Sequence, residues 1–216
     1  KWRACKTYGR MVERPSFFCI MIFIIDDFLN NPYEIRNHAL SGNLNYVEDY
    51  NHIIPGIRSY GEDGISNIIL RKINSLTGEN LQTRISGFHL TTANDCCGNI
   101  HVDAKCLYAA VLYLSLNPPK NSGTRIFNSG YNYNWIGEEE FINKTKKFRS
   151  GKNNYLSRLK YRFHMKRYEK QFGVGMDVEN KFNRLVVYKT PIAHKALNCF
   201  GRDRNDSRLI FFGFYH

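Results

Sequence analysis

The chain has 216 residues, 43% of them hydrophobic and 23% charged, with 31 Lys and Arg against 19 Asp and Glu for a net charge of +12. That length suits one domain with a proper core. No apolar run approaches the ~20 residues of a membrane span, the longest being Phe17 to Ile25, so a spanning helix is excluded and a basic, cytoplasmic protein is expected.

The chain opens on Lys1 rather than Met, as expected of a trimmed N-terminus, and residues 1–16 are basic with little pattern. After Pro15, Phe17 to Ile25 reads as a strand that Asp26-Asp27 ends. Asp27 is placed to cap the helix expected over Asn31 to Leu40, with Pro32 in its first turn. Tyr46 to Tyr60 contains Pro55-Gly56 and little periodicity, which predicts a loop draped over the core. From Gly64 to Leu76, Ile65, Ile68, Ile69 and Ile73 recur at helical spacing, and Thr77-Gly78 closes that helix. Residues 81–90 alternate as a strand, and Gly98-Asn99 turns the chain into the segment Asn99 to Asp103. Alternate side chains of an extended segment share a face, so His101 and Asp103 present an imidazole and a carboxylate to one point.

Leu107 to Leu116 is apolar on both faces, which marks a central strand of a sandwich, and Asn117-Pro118-Pro119 stops it. Ser122 to Phe127 follows as a further strand. Residues 128–172 then interrupt the pattern as an insertion expected to form two helices, Trp135 to Phe148 and Tyr155 to Phe172, the second with Leu156, Leu159 and Phe163 along one side. Between 141 and 170 there are 11 Lys or Arg and one acid, Glu169, so the excess charge is local. Cations with aromatics interleaved predict either a solvated face or a surface for an acidic partner or nucleic acid.

Arg184 to Tyr188 reads as a strand, Thr190-Pro191 as a turn, and His194 lies just beyond; Arg208 to Phe214 is the last strand. Two His and one carboxylate on neighbouring strands form the set that holds non-haem Fe(II) with coordination positions left open. Short strands punctuated by turns predict a jelly roll, within a mainly β chain carrying flanking helices (α+β), as a single domain over 1–216. The cysteines (Cys5, Cys19, Cys96, Cys97, Cys106, Cys199) show no CxxC pair and read as reduced thiols. Zinc held by Cys96, Cys97, Cys106 and a His is a weaker alternative.

The order His101-x-Asp103, Tyr113 in an apolar strand, Gly123-Thr124 before Phe127, distal His194 and an Arg-led last strand resembles the Fe(II)- and 2-oxoglutarate-dependent oxygenases, above all their prolyl-hydroxylase-like branch. The resemblance is continuous from about residue 85 to 216. It implies a double-stranded β-helix with iron on His101, Asp103 and His194, 2-oxoglutarate and O2 as co-substrates, and ascorbate as an accessory reductant. It also implies hydroxylation of a peptidyl side chain or a small amino-acid-like molecule. An Arg fork suits a carboxylate, so Arg208, with Tyr113 beside it, is the expected anchor of 2-oxoglutarate, and Arg204 the alternative. Two other readings stay open: a non-catalytic jelly-roll module that binds a polyanion through the insertion, and a zinc-dependent hydrolase.

Overall fold

The computed structural model describes residues 21–48, 54–95, 99–103, 105–127, 138–150 and 155–216. Cys5, Cys19, Cys96 and Cys97, the start of the first expected strand and the turn at Gly98 lie outside those residues. Cys106 is a free thiol.

Seven strands make the large sheet: β1 (Ile22–Ile25), β2 (Val47–Glu48), β3 (Ile57–Arg58), β4 (Thr83–Thr91), β5 (Tyr108–Tyr113), β8 (Leu185–Lys189) and β10 (Arg208–Tyr215). Their order is β1-β8-β5-β10-β4-β3-β2, and every pair is antiparallel. A smaller antiparallel sheet has the order β7-β6-β9, from β6 (Thr124–Phe127), β7 (Gly175–Val178) and β9 (His194–Ala196). Two sheets facing one another with consecutive strands divided between them are a jelly roll, the double-stranded β-helix.

The both-face apolarity of the central strands follows from what covers each face. Tyr108, Ala110 and Leu112 of β5, Leu185 and Val187 of β8, and Leu209 and Phe211 of β10 join one cluster with α1 (Pro32–Leu40) and α2 (Asp63–Thr77). The alternate residues Ala109, Val111, Tyr113, Val186, Tyr188 and Ile210 join a second cluster with Ile126 and Val178 of the small sheet. Helices press on one side and the small sheet on the other, so no strand position there can afford a polar side chain without a partner. Gly123, which enters β6, is set by close approach: a Cβ there would collide with the carbonyl oxygen of Val178.

Four local expectations are corrected. Asp27 does not cap α1; it takes a left-handed φ of 52°, and Asn31 stands at the N-cap with its side chain bonded to Glu34 rather than to the helix backbone. The stretch 46–60 is not all loop, because β2 and β3 extend the sheet from its β4 edge. Within α2, Ile65, Ile69 and Ile73 are buried, but Ile68 points outward at 39% exposure. In α4 (Tyr155–Glu169), Leu156, Leu159 and Phe163 also face solvent.

The packed face of α4 is the opposite one. Tyr161, Met165 and Tyr168 form a third cluster with Phe141 of α3 (Glu138–Ser150), Phe172, and Phe127, Ala193 and Ile100 of the barrel. Phe141 stacks on Tyr168 at 3.9 Å and Phe148 on Tyr161 at 4.3 Å between ring centroids. Arg125 of β6 chelates Asp177 with two nitrogens at 2.6 and 2.7 Å and reaches Glu169 at 2.8 Å, while Lys195 bonds the other Glu169 oxygen at 2.5 Å. The lone acid of the basic stretch therefore fastens α4 to the small sheet. Among the described residues no helix is long and apolar enough to cross a membrane.

Candidate metal centre

His101 and His194 are brought together by the backbone. The two residues exchange N–H···O bonds of 3.1 and 3.0 Å in an isolated bridge, and β9 is itself paired to β6, so His194 sits between β6 and the His101 segment. His101 thus belongs to a single bridge rather than to the strand its spacing predicts. The ring centroids stand 4.2 Å apart.

Each imidazole is fixed in the same way. Nδ1 of His101 lies 2.8 Å from the Asn99 carbonyl, and Nδ1 of His194 lies 2.9 Å from that of Ile192. A carbonyl can only accept, so both Nδ1 atoms carry the proton and both Nε2 lone pairs are free to ligate. Asp103 points at them: Oδ1 is 3.7 Å from Nε2 of His101, and Oδ2 is 3.4 Å from Nε2 of His194.

The three donors lie within 4.8 Å of one another. Ligands about 2.0–2.2 Å from one ion at right angles are about 3 Å apart, so a small contraction would seat a divalent metal on one face and leave the others open. Two imidazoles and one carboxylate are the donor set for Fe(II) or a similar ion, and the residues fit the group. Asp103 and His194 are mostly covered, at 9% and 7% side-chain exposure, while His101 is 50% exposed at the rim. Although one edge of its ring meets solvent, the protein packed around the rest holds His101 below the ordinary imidazole range: desolvation first, then the neighbouring His194, with Asp103 working in the opposite sense and the charge of Arg58 adding to the depression.

Tyr188, which the sequence reading passed over, completes the cluster. Its hydroxyl is 3.0 Å from Asp103 Oδ2 and 3.0 Å from His194 Nε2. Burial and then the Asp103 carboxylate push its pKa well above the ordinary phenol value, so it is a donor with one proton facing two acceptors. A metal on Nε2 would remove one acceptor and leave that proton to Asp103 Oδ2. The available signal was strand alternation, since Tyr188 shares the inward face of β8 with Val186. Arg58, whose charge bears on His101, lies with its guanidinium 4.6 Å over the Phe212 ring.

Arg208 begins β10 with only 2% exposure. Its Nε donates to the Ser122 carbonyl at 3.1 Å, and its guanidinium carbon lies 5.8 Å from the centroid of the Tyr113 ring. Among the described residues no carboxylate pairs with it. Tyr113 is fully buried and donates to Thr124 Oγ1 at 2.7 Å. Tyr113 and Tyr188 share the inter-sheet cluster, so Arg208, beside Tyr113, and the His101, Asp103, His194 group, bonded to Tyr188, border the same cluster. Arg204 lies elsewhere, 4.7 Å over the ring of Tyr46, which packs on the helix-covered side of the large sheet.

The profile of a family of unknown function (DUF6445) matches residues 20–198. No curated protein matches the chain. Among solved structures, HygX from Streptomyces hygroscopicus with nickel and 2-oxoglutarate bound superimposes with a TM-score of 0.56 at 12% identity, over 90% of this chain and 82% of that one. A Pseudomonas putida prolyl-4-hydroxylase gives 0.53 at 17% identity, over 90% and 91%. The non-heme alpha ketoglutarate dependent epimerase SnoN from nogalamycin biosynthesis gives 0.55 at 12%, over 90% and 77%. HygX also occurs with iron bound. At such identities the likeness is one of fold.

Proposed function

The chain belongs to the family of unknown function DUF6445, and we propose that it is an Fe(II)- and 2-oxoglutarate-dependent oxygenase that hydroxylates a peptidyl side chain or a small amino-acid-like molecule. The observation that carries this reading is the convergence of His101 Nε2, His194 Nε2 and the Asp103 carboxylate, with both Nδ1 protons held by backbone carbonyls. His101, Asp103 and His194 would hold iron, and Arg208 would grip the distal carboxylate of 2-oxoglutarate. Bound together, these groups would supply oxygen activation and oxidation of a C–H bond, coupled to decarboxylation of the co-substrate to succinate and CO2.

The residues of the chain do the rest. Asn99 and Ile192 fix the histidine tautomers. Tyr188 holds one oxygen of Asp103 and leaves the other for the metal. Tyr113, bonded to Thr124 and packed between the two sheets, lies beside the Arg208 guanidinium and would wall the co-substrate's distal end. A cytoplasmic setting, with ascorbate as reductant, suits both Fe(II) and the free thiol of Cys106.

Anaerobic titration with Fe(II) and 2-oxoglutarate tests the reading. The expected result is the weak visible charge-transfer band of a chelated complex, lost together with succinate release in His101→Ala, Asp103→Ala and His194→Ala while the fold persists. A folded parent protein that gives no band sinks it, and tight zinc with hydrolysis but no 2-oxoglutarate consumption replaces it by a hydrolase.

A further inference from the structure

α4 is amphipathic twice over. Its inner face packs on α3 and the barrel through Tyr161, Met165 and Tyr168. Its outer face carries Leu156, Leu159 and Phe163, exposed at 62%, 38% and 65%. At about 100° per residue these three fall within a narrow stripe diametrically opposite Tyr161. The same arithmetic puts Arg162 and Lys166 along one side of the stripe and Lys160 and Arg167 along the other, with Lys170 beyond its end. All five cations are exposed. An apolar ridge on the outermost line of a helix costs free energy in water and marks a contact surface.

We propose that this face of α4 is a docking surface for the anionic headgroup region of a lipid bilayer. The ridge is convex and has a row of cations on each flank. A planar anionic surface lets both rows reach phosphates at once while Leu156, Leu159 and Phe163 dip among the acyl chains, the Lys and Arg stems lying alongside. The cytoplasmic leaflet presents such a charge. Nucleic acid fits less well, because two of the three exposed apolar side chains are aliphatic and Phe163 alone offers a ring for a base to stack on. A protein partner would have to supply a groove with acids along both walls. The proposal does not depend on the metal-centre reading.

The test is co-sedimentation of the full chain with phosphatidylcholine vesicles, with and without phosphatidylserine. Binding is expected only to the phosphatidylserine vesicles and is weakened by salt. The triple variant Leu156→Ser, Leu159→Ser, Phe163→Ser should bind about tenfold or more weakly. The double variant Lys160→Glu, Arg167→Glu should also lose binding. Both variants should keep the parent's thermal midpoint and metal affinity, since all five side chains are exposed and none belongs to the cluster that holds α4. Failure to bind phosphatidylserine vesicles overturns the proposal. Undiminished binding by the triple variant overturns it in favour of a plain polyanion contact, as does tighter binding of a single-stranded oligonucleotide than of vesicles. A dimer abolished by the triple variant overturns it too, and gives the ridge to a second copy.

Discussion

At the scale of single residues, Tyr188 and Arg208 decide different things. Tyr188 offers one proton to Asp103 and His194 at equal distances of 3.0 Å, so Tyr188→Phe removes a hydrogen bond without opening a cavity. Loss of an outer partner of a metal ligand commonly costs about 10- to 100-fold in metal affinity. We expect a weaker Fe(II) or Ni(II) isotherm in that range, a shifted charge-transfer band and an unchanged far-ultraviolet spectrum; an unaltered isotherm would make Tyr188 a packing residue only. Arg208 bears on the co-substrate. If a 2-oxoglutarate carboxylate sits against it, Arg208→Ala leaves a buried charge unpaired at a cost of roughly 2–5 kcal/mol, about 30- to 4,000-fold in 2-oxoglutarate affinity. Metal binding should survive, and Arg204→Ala, whose side chain rests on Tyr46, should behave as the parent. The dependence of succinate release on 2-oxoglutarate concentration reads both variants, and a large loss in Arg204→Ala alone would move the anchor.

Between elements, the ion pair that ties β1 to β8 gives a pH-dependent prediction. Asp26, just past β1, accepts from Arg184 Nε at 2.6 Å and from Lys181 at 3.0 Å. The bond from Arg184 outweighs desolvation and, with Lys181 helping, draws the Asp26 pKa from 3.8 to about 2. A carboxylate whose folded pKa is depressed stabilises the fold above its unfolded value, and that share is lost as pH falls from about 4 toward 2. Asp26 is 39% exposed, so solvent screening reduces the effect to about 1 kcal/mol or less. Asp26→Asn should therefore unfold in lower denaturant than the parent at pH 7 and match it near pH 2, with the gap narrowed by about 1 M salt, where the screening length is about 3 Å. An equal gap at pH 2 and pH 7 would assign the loss to packing.

The sequence showed some elements and hid others for reasons of the same kind. β5 was legible because both its faces are buried and its apolar run is unbroken. His101, Asp103 and His194 were legible because their order along the chain survives the folding that joins them. The inner face of α4 was not, because Leu156, Leu159 and Phe163 make as regular a stripe as Tyr161, Met165 and Tyr168, and periodicity alone does not say which stripe faces the protein. β2 and β3 were hidden because two-residue strands arise from pairing with β4 rather than from local preference. Tyr188 was hidden because its role depends on the turn at Thr190-Pro191 that folds β9 back past it.

Across the whole molecule, the insertion and the metal candidate are linked through Asn99. Tyr161 of α4 donates to Asn99 Oδ1 at 3.0 Å, and the carbonyl of the same Asn99 holds Nδ1 of His101 at 2.8 Å. One residue thus joins the inner face of α4 to the proposed ligand that stands most open to solvent. Whatever occupies the metal centre is therefore coupled to the folding of the domain rather than to a surface loop. A ligand that binds only the folded state stabilises it by RT ln(1 + [L]/Kd), about 2.7 kcal/mol at a hundredfold excess over Kd. For a domain of this size each kcal/mol raises the melting temperature by about 2–4 °C. Ni(II), which would avoid the turnover proposed for iron, should then raise the midpoint by about 5–11 °C at that excess. Adding 2-oxoglutarate should raise it further in the parent but not in Arg208→Ala. The shift should vanish in His101→Ala, Asp103→Ala and His194→Ala, and a shift that persists in all three would place the bound metal away from these residues.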